Sequence, residues 1–215
     1  MQAIILYRSG HRVHILERSP TLPEGRGAGI SCREKAKEFF GVWDITQAPY
    51  YIHSDKVCFL KLDGTVKRTW SMPMEMTSWQ SLYYRLRINF DGLQSEYSPN
   101  PIEQSATQTA GEAKYELGQT VTNVEYKDGQ VTVDYESSTD PGKKLSLQPD
   151  LVIAADGSRS RIRRMLQPDL TPNYCGYIAW RGMVPENDLS EDTRKLVGQH
   201  TSLLPMDKSH ILMWV

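Results

Sequence analysis

Residues 150–166 read DLVIAADGSRSRIRRML, and this stretch decides the fold. Residues 151–155 are an unbroken apolar run that stops at Asp156 and Gly157. A run of that kind reads as a strand buried on both faces of a parallel sheet. Residues 158–166 then predict a helix, with Ser158 as its cap and its first amides able to face an anion. Gly157 lets backbone approach a phosphate closely. Arg159, Arg161, Arg163 and Arg164 crowd the first two turns, where positive charge opposes the helix dipole, so a nearby anion would relieve them. A solvated basic face is the competing reading of these arginines. The buried strand leading in argues against a nucleic-acid patch.

Towards the N-terminus, residues 3–9 read as the tail of a helix closed by Gly10, and residues 11–16 as a strand that ends on Glu17-Arg18-Ser19-Pro20. A dinucleotide-binding βαβ unit needs a carboxylate at the end of its second strand to accept the ribose hydroxyls. Glu17 stands at that place, and a merely solvated strand end is the alternative. Gly25, Gly27 and Gly29 fall in a loop, EGRGAGI, and residues 31–41 have helical spacing with Ala36, Phe39 and Phe40 on one side.

Residues 56–61 and 65–70 flank Asp63-Gly64, a hairpin signal. Residues 78–90 predict a helix with Ser78 as N-cap and Leu82, Leu86 and Phe90 on one stripe. Residues 92–113 are polar and read as loop. Residues 120–126 and 130–135 form a second hairpin, with residues 145–147 as a further edge. Beyond residue 166 the pattern alternates: residues 174–184, a helix near 191–198, and strands around Ser202 and Ile211.

With 25 basic and 26 acidic side chains the formal charge is -1, so no global field favours nucleic acid. Cys32, Cys58 and Cys175 are odd in number and have no paired spacing, which fits a reducing cytosol and a cytoplasmic protein. The first residues carry a short apolar run before charge appears, too short for a signal segment or a membrane span. His11 and His14 lie three apart on a predicted strand and so point to opposite faces, which argues against a shared metal. Met72, Met74 and Met76, and the aromatic pair Tyr177 and Trp180, read as packing before they read as ligand groups.

GHRVHILERSP, RGAGI, SWQSLYYRLR and DLVIAADGSRSRIRRML occur in the order and spacing of the class A FAD-dependent aromatic monooxygenases, the para-hydroxybenzoate hydroxylase-like group. YCGYIAWRGMVPE resembles the substrate-domain strand of the 2,6-dihydroxypyridine hydroxylase branch. The resemblance implies an α/β fold: an FAD-binding Rossmann-like (glutathione reductase-type) domain lacking its first strand, plus part of a mixed β-sheet substrate domain. It assigns residues 1–52 and 78–168 to the first and residues 53–77 and 169–215 to the second.

By the same resemblance Glu17 would hold the adenosine ribose, Arg18 would lie beside the adenine, and Arg85 would approach the FAD pyrophosphate. Asp156 and Gly157 match a motif that helps bind both FAD and the nicotinamide cofactor, and Arg26 falls where the family runs close to the flavin. The implied reaction uses NAD(P)H to reduce FAD and O2 to hydroxylate a small aromatic or heteroaromatic substrate. The family opens with a strand and GxGxxG, and aligning Gly10 puts Met1 just past that loop; a later Gly-Asp motif also has no counterpart. The expectation is therefore a chain truncated at both ends, with exposed apolar strand edges and poor solubility. A non-catalytic remnant that does not hold FAD is the alternative function, and a flavin reductase or halogenase relative is a third.

Overall fold

The computed structural model describes residues 1–23, 29–46, 48–61, 63, 65–98, 110–178, 182 and 184–197, together with 201–206 and 209–213; of 196–197, 201–206 and 209–213 only the backbone is described. In chain order the elements are α1 (Gln2–Arg8), β1 (Arg12–Leu16), β2 (Gly29–Cys32), α2 (Glu34–Trp43), β3 (Ile52–Leu60), β4 (Val66–Ser78), α3 (Trp79–Asp91) and β5 (Glu112–Glu116). There follow β6 (Gln119–Lys127), β7 (Gln130–Ser137), β8 (Lys144–Leu147), α4 (Arg161–Leu166), α5 (Glu191–Val197), β9 (Thr201–Met206) and β10 (Ser209–Met213). The fold is mixed α/β. Contacts gather the chain into two units, Met1–His11 with Glu24–Gly111 and Trp180–Val215, and Arg12–Pro23 with Glu112–Ala179.

In the first unit a five-stranded sheet runs in the order β10-β9-β3-β4-β2. β3 and β9 are parallel and the other neighbours antiparallel. β4 is long enough to serve two partners: residues 75–78 pair with β2, and residues 66–76 pair with β3, so that Glu75 and Met76 lie between the two. Pro73 falls at the register shift between Ser54 and Lys56 of β3, where the ladder is already interrupted and a missing N–H costs little.

The strand then becomes a helix without a connecting loop. Ser78 keeps an extended backbone, and its Oγ accepts from the Ser81 N–H at 3.0 Å, as expected of an N-cap. Gly92 closes α3 at φ +75°, the left-handed conformation that only glycine adopts cheaply.

The stripe expected on α3 is only partly buried. Phe90 is in the core with Ile88, but Leu82 and Leu86 are half-exposed, and the helix buries Arg85, Arg87 and Asn89 instead. These polar groups are satisfied. Arg85 donates Nε–H to the Asp44 carboxylate at 2.8 Å, a second N–H to the same oxygen, and others to the carbonyls of Ala48 and Thr46 at 2.5 and 3.2 Å.

Asn89 donates to Asp44 at 2.9 Å and accepts from the Ile45 N–H at 2.8 Å. Arg8 of α1 reaches the Trp43 carbonyl at 2.6 Å and Asn89 at 3.3 Å. The Arg85 guanidinium also lies 4.9 Å from the centre of the Tyr50 ring. The buried apolar residues of this unit include Ile4, Cys32, Phe40, Val57, Cys58, Leu60 and Met76.

The second unit holds a two-stranded parallel sheet, β1 with β5, and an antiparallel sheet in the order β6-β7-β8. The β6–β7 hairpin turns at Asp128-Gly129 as expected, with both residues at positive φ. α4 packs on β6. Among the described residues the buried apolar side chains of this unit are Val133, Tyr135 and Ile162.

Several expectations need correction. Residues 112–113, read as the end of a polar loop, open β5, because β1 supplies a ladder for residues 112–116. Residues 151–155, read as a doubly buried strand, join no ladder among the described residues, and Leu151 and Ile153 are 65% and 47% exposed. The helix expected from residue 158 begins at Arg161. Residues 174–178, expected to be extended sheet, belong to no strand, and Tyr177 is exposed. Gly29 and Ile30, placed in a loop, begin β2. Trp180, Gly64, Gly25 and Gly27 lie outside the described residues, as does most of the EGRGAGI loop.

Removing one partner of the buried pair leaves an uncompensated charge in the core, so Asp44→Ala is expected to cost about 3–5 kcal/mol in urea unfolding. The double variant Asp44→Ala/Arg85→Met should recover a large part of that loss. Additive losses in the double variant would show that the pair is not coupled.

Candidate functional site

The residues singled out for cofactor contact fall in both units. Glu17 and Arg18 follow β1, and Asp156 and Gly157 precede α4, all in the second unit; Arg85 is in the first. Arg26 lies outside the described residues.

β1 carries Glu17 to its place through the ladder. The Glu17 N–H donates to the Glu116 carbonyl at 2.8 Å, and the Glu17 carbonyl accepts from Gln119 N–H at 2.8 Å, so backbone on both sides fixes this residue. Its side chain is half-buried, and Oε1 accepts from the Ser19 N–H at 2.8 Å. Among the described residues Oε2 has no protein partner. A carboxylate pinned by one oxygen and open at the other suits a ligand hydroxyl. Arg18, beside it, is exposed.

The turn at residues 156–160 is built differently from its expected form. Asp156 Oδ2 accepts from the Arg161 and Ile162 N–H groups at 2.7 and 3.1 Å, and Ser160 Oγ accepts from Arg163 N–H at 2.9 Å. The cap is therefore Ser160, with Asp156 taking the two amides before it; Ser158 does not cap. The amides expected to face an external anion are spent on the chain's own oxygens. Burial alone would raise the Asp156 pKa, but the hydrogen bonds from Ser160, Ile162 and Arg161 outweigh it and hold the carboxyl below its ordinary range.

Gly157 sits at φ +78° with nothing within 4 Å of the position a Cβ would take. Its backbone is thus open to an approaching group, and a larger residue would be strained there. Arg163 donates to the Ser158 carbonyl at 2.6 Å, which further ties the turn to the helix.

Arg85 is only 2% exposed, and its N–H groups go to Asp44, Thr46 and Ala48. A pyrophosphate would have to compete with the Asp44 carboxylate for them. Position along α3 made Arg85 attractive in the sequence; the competing carboxylate, 41 residues earlier, carries no local signal.

Two features were missed by sequence reading. On the β1–β5 pair, Glu116 accepts from His14 Nε2 and stands 3.1 Å from Lys114 Nζ. Burial opposes its ionisation, but the bonds from Lys114 and His14 prevail and lower its pKa. At the other sheet, Gly29 pairs with Ser78, so the glycine loop ends against the start of α3, where Trp79 and Tyr83 stack at 5.1 Å. No group of three or more His, Cys, Asp or Glu able to hold a metal occurs among the described residues, and none of their helices is long and apolar enough to cross a membrane.

Residues 174–215 match the family described as FAD binding domain-like. The chain is 28% identical over 192 residues to aurachin C monooxygenase/isomerase of Stigmatella aurantiaca, covering 89% of this chain and 45% of that protein. It is 21% identical over 214 residues to 2,6-dihydroxypyridine 3-monooxygenase of Paenarthrobacter nicotinovorans, covering 99% and 47%. Among solved structures, 2,6-dihydroxypyridine-3-hydroxylase from Arthrobacter nicotinovorans superposes with a TM-score of 0.73 at 19% identity, over 98% of this chain and 47% of that one.

Klebsiella pneumoniae HpxO, complexed with FAD and uric acid, gives 0.64 at 20% identity, over 99% and 49%. The chain is similar to the class A FAD monooxygenases, and its fold is theirs. It spans about half the length of the curated relatives it matches. The likeness reaches the hydroxypyridine branch from which YCGYIAWRGMVPE was read, and the family match begins at Tyr174 of that segment.

Because the Asp156 carboxyl is lowered in the folded chain, its contribution is complete above the ordinary carboxylate pKa and is lost as pH falls through the folded value. Asp156→Ala should cost about 1 kcal/mol near neutral pH, the usual worth of a helix-capping oxygen. Urea midpoints of the two proteins should converge as the pH is taken down to the acid end of the carboxylate range. A constant gap at all pH values would mean that ionisation is not what holds the turn.

Proposed function

We propose that the chain forms the cofactor-holding and substrate-sheet portion of an FAD-dependent monooxygenase that hydroxylates a small aromatic or heteroaromatic compound with NAD(P)H and O2. The observation that carries this reading is Glu17: a carboxylate at the end of a strand that follows a helix, fixed by backbone on both sides, with one oxygen open. Its setting in the parallel pair β1–β5 supports a Rossmann-like, glutathione reductase-type assignment for residues 1–52 and 78–168. Residues 53–77 and 169–215 are assigned to the substrate sheet. The relatives named above, one bound to FAD and uric acid and one named for 2,6-dihydroxypyridine, support the choice of cofactor and of an aromatic substrate.

Bound FAD would supply the redox chemistry, and the protein would supply position and electrostatics. In this reading Glu17 accepts the ribose hydroxyls, and Arg18, exposed beside it, borders the adenine. Asp156 holds the start of α4 so that the Gly157 backbone is presented to the cofactor, while Arg26 lies near the flavin. Arg85 is assigned to the pyrophosphate, in competition with Asp44. The donor set fits a dinucleotide: an open carboxylate oxygen for hydroxyls, and an unobstructed glycine backbone for a phosphate.

The purified chain, incubated with FAD and then freed of excess flavin, should keep about one flavin per chain by its visible absorbance. Glu17→Ala should weaken retention at least about tenfold, the loss of a pair of hydroxyl hydrogen bonds to a charged group. A colourless wild-type chain would overturn the reading for this chain; equal retention by the variant would remove Glu17 from it.

A further inference from the structure

Oxidisable rings run in contact along α3 and into the turn that follows it. Trp79 and Tyr83, one helical turn apart, stack with centroids 5.1 Å apart and planes 15° from parallel. Tyr83 meets Tyr84 edge-on at 5.2 Å, and Tyr84 stacks on Tyr97 at 5.5 Å with planes 4° apart. Gly92 ends the helix, and a turn bridged between Ser95 and Ser98 brings Tyr97 back onto Tyr84. Each of these side chains is half-buried.

Packing alone is met in the same unit by Phe39, Phe40 and Phe90. The row consists instead of an indole and phenols, the rings that can give up an electron and a proton. Arg87 donates to the Tyr83 hydroxyl oxygen at 2.8 Å, a bond that survives when the phenolic proton leaves and that steadies the oxygen of a phenoxyl radical. The Arg87 charge by itself opposes a hole on the Tyr83 ring, 5.7 Å away, but Asp91 matches it at 2.7 Å. At neutral pH a phenol that sheds its proton is slightly easier to oxidise than an indole. A hole placed on Trp79 therefore runs downhill to the tyrosines.

We infer that this row is an electron relay that drains a one-electron oxidant, of the oxygen-centred radical class, from Trp79 to Tyr97. Trp79 directly follows Ser78, which pairs with Gly29 where the glycine loop ends. The oxidant takes one electron from the indole and is reduced, and the indole N–H proton passes to water. Tyr83 then returns an electron to Trp79, which recovers a proton from water while the phenolic proton of Tyr83 is released to water. The same exchange moves the hole to Tyr84 and on to Tyr97. A soluble thiol restores Tyr97 by giving up its hydrogen atom and leaves as a thiyl radical. The inference goes beyond the proposed function and does not rest on it.

Pulse radiolysis of the full chain with azide radicals, which oxidise indoles in preference to phenols, tests the relay. The wild-type chain should show an indole-radical signal that decays into a phenoxyl signal at a rate independent of protein concentration. Trp79→Phe and Tyr83→Phe should each lose that phase, and the second removes only a hydroxyl while keeping the ring in the stack. Tyr7→Phe, whose ring packs on Phe90, should retain it. A nitroso spin trap followed by mass spectrometry should find its adduct on Tyr97 in the wild-type chain and on Tyr83 in Tyr84→Phe. Survival of the phase in Tyr83→Phe, its loss in Tyr7→Phe, or an adduct that stays on Tyr97 in Tyr84→Phe overturns the inference.

Discussion

The first unit depends on a buried ion pair that is fully hydrogen-bonded. Taking Arg85 and Asp44 out of water costs several kcal/mol per ion in effect, and only near-complete satisfaction of both groups makes that tolerable. The structure meets the demand by drawing in Asn89, Thr46 and the carbonyls of residues 46 and 48. Those partners belong to the segment that leaves α2 and to the last turn of α3. Electrostatic satisfaction therefore dictates where the chain runs between residues 43 and 50, and it places Tyr50 over the guanidinium and against Phe40. Arg8 extends the same arrangement to α1 through the Trp43 carbonyl and Asn89, while Tyr7 meets Phe90 edge-on.

That node also explains what the sequence revealed and what it concealed. α3 was legible at its start, since Ser78 acts through local backbone geometry that a short window of sequence encodes. Its buried face was not. The apolar spacing of Leu82, Leu86 and Phe90 is a true helical stripe, but burial was decided by Arg85 and Asn89, whose partners lie 41 and 45 residues away. The hairpin at Asp128-Gly129 and the strand that ends before Glu17 were legible for the same reason as the cap: each follows from a signal close in sequence.

Strands were the weaker part, and two segments show why. Residues 112–116, EAKYE, were not read as a strand, their first two being taken for loop, yet they form a regular parallel ladder with β1. Residues 151–155, LVIAA, have the composition of a doubly buried strand and lie in no ladder among the described residues. A helix closes its hydrogen bonds within itself; a strand exists only where another backbone offers the complementary edge. Composition states which environment a segment favours, whereas pairing depends on what lies beside it.

The same distinction bears on the turn before α4. Its four arginines suggested a helix start waiting for an anion, but the helix amides are already answered by Asp156 and Ser160. An internal carboxylate therefore does the work that sequence reading assigned to an external one. What the turn still offers is the uncovered backbone at Gly157, next to the Asp156 carboxylate that ties the turn to the start of α4. Capping and exposure thus meet in one turn: the carboxylate that removes the helix amides from use immediately precedes the glycine whose left-handed backbone is left open.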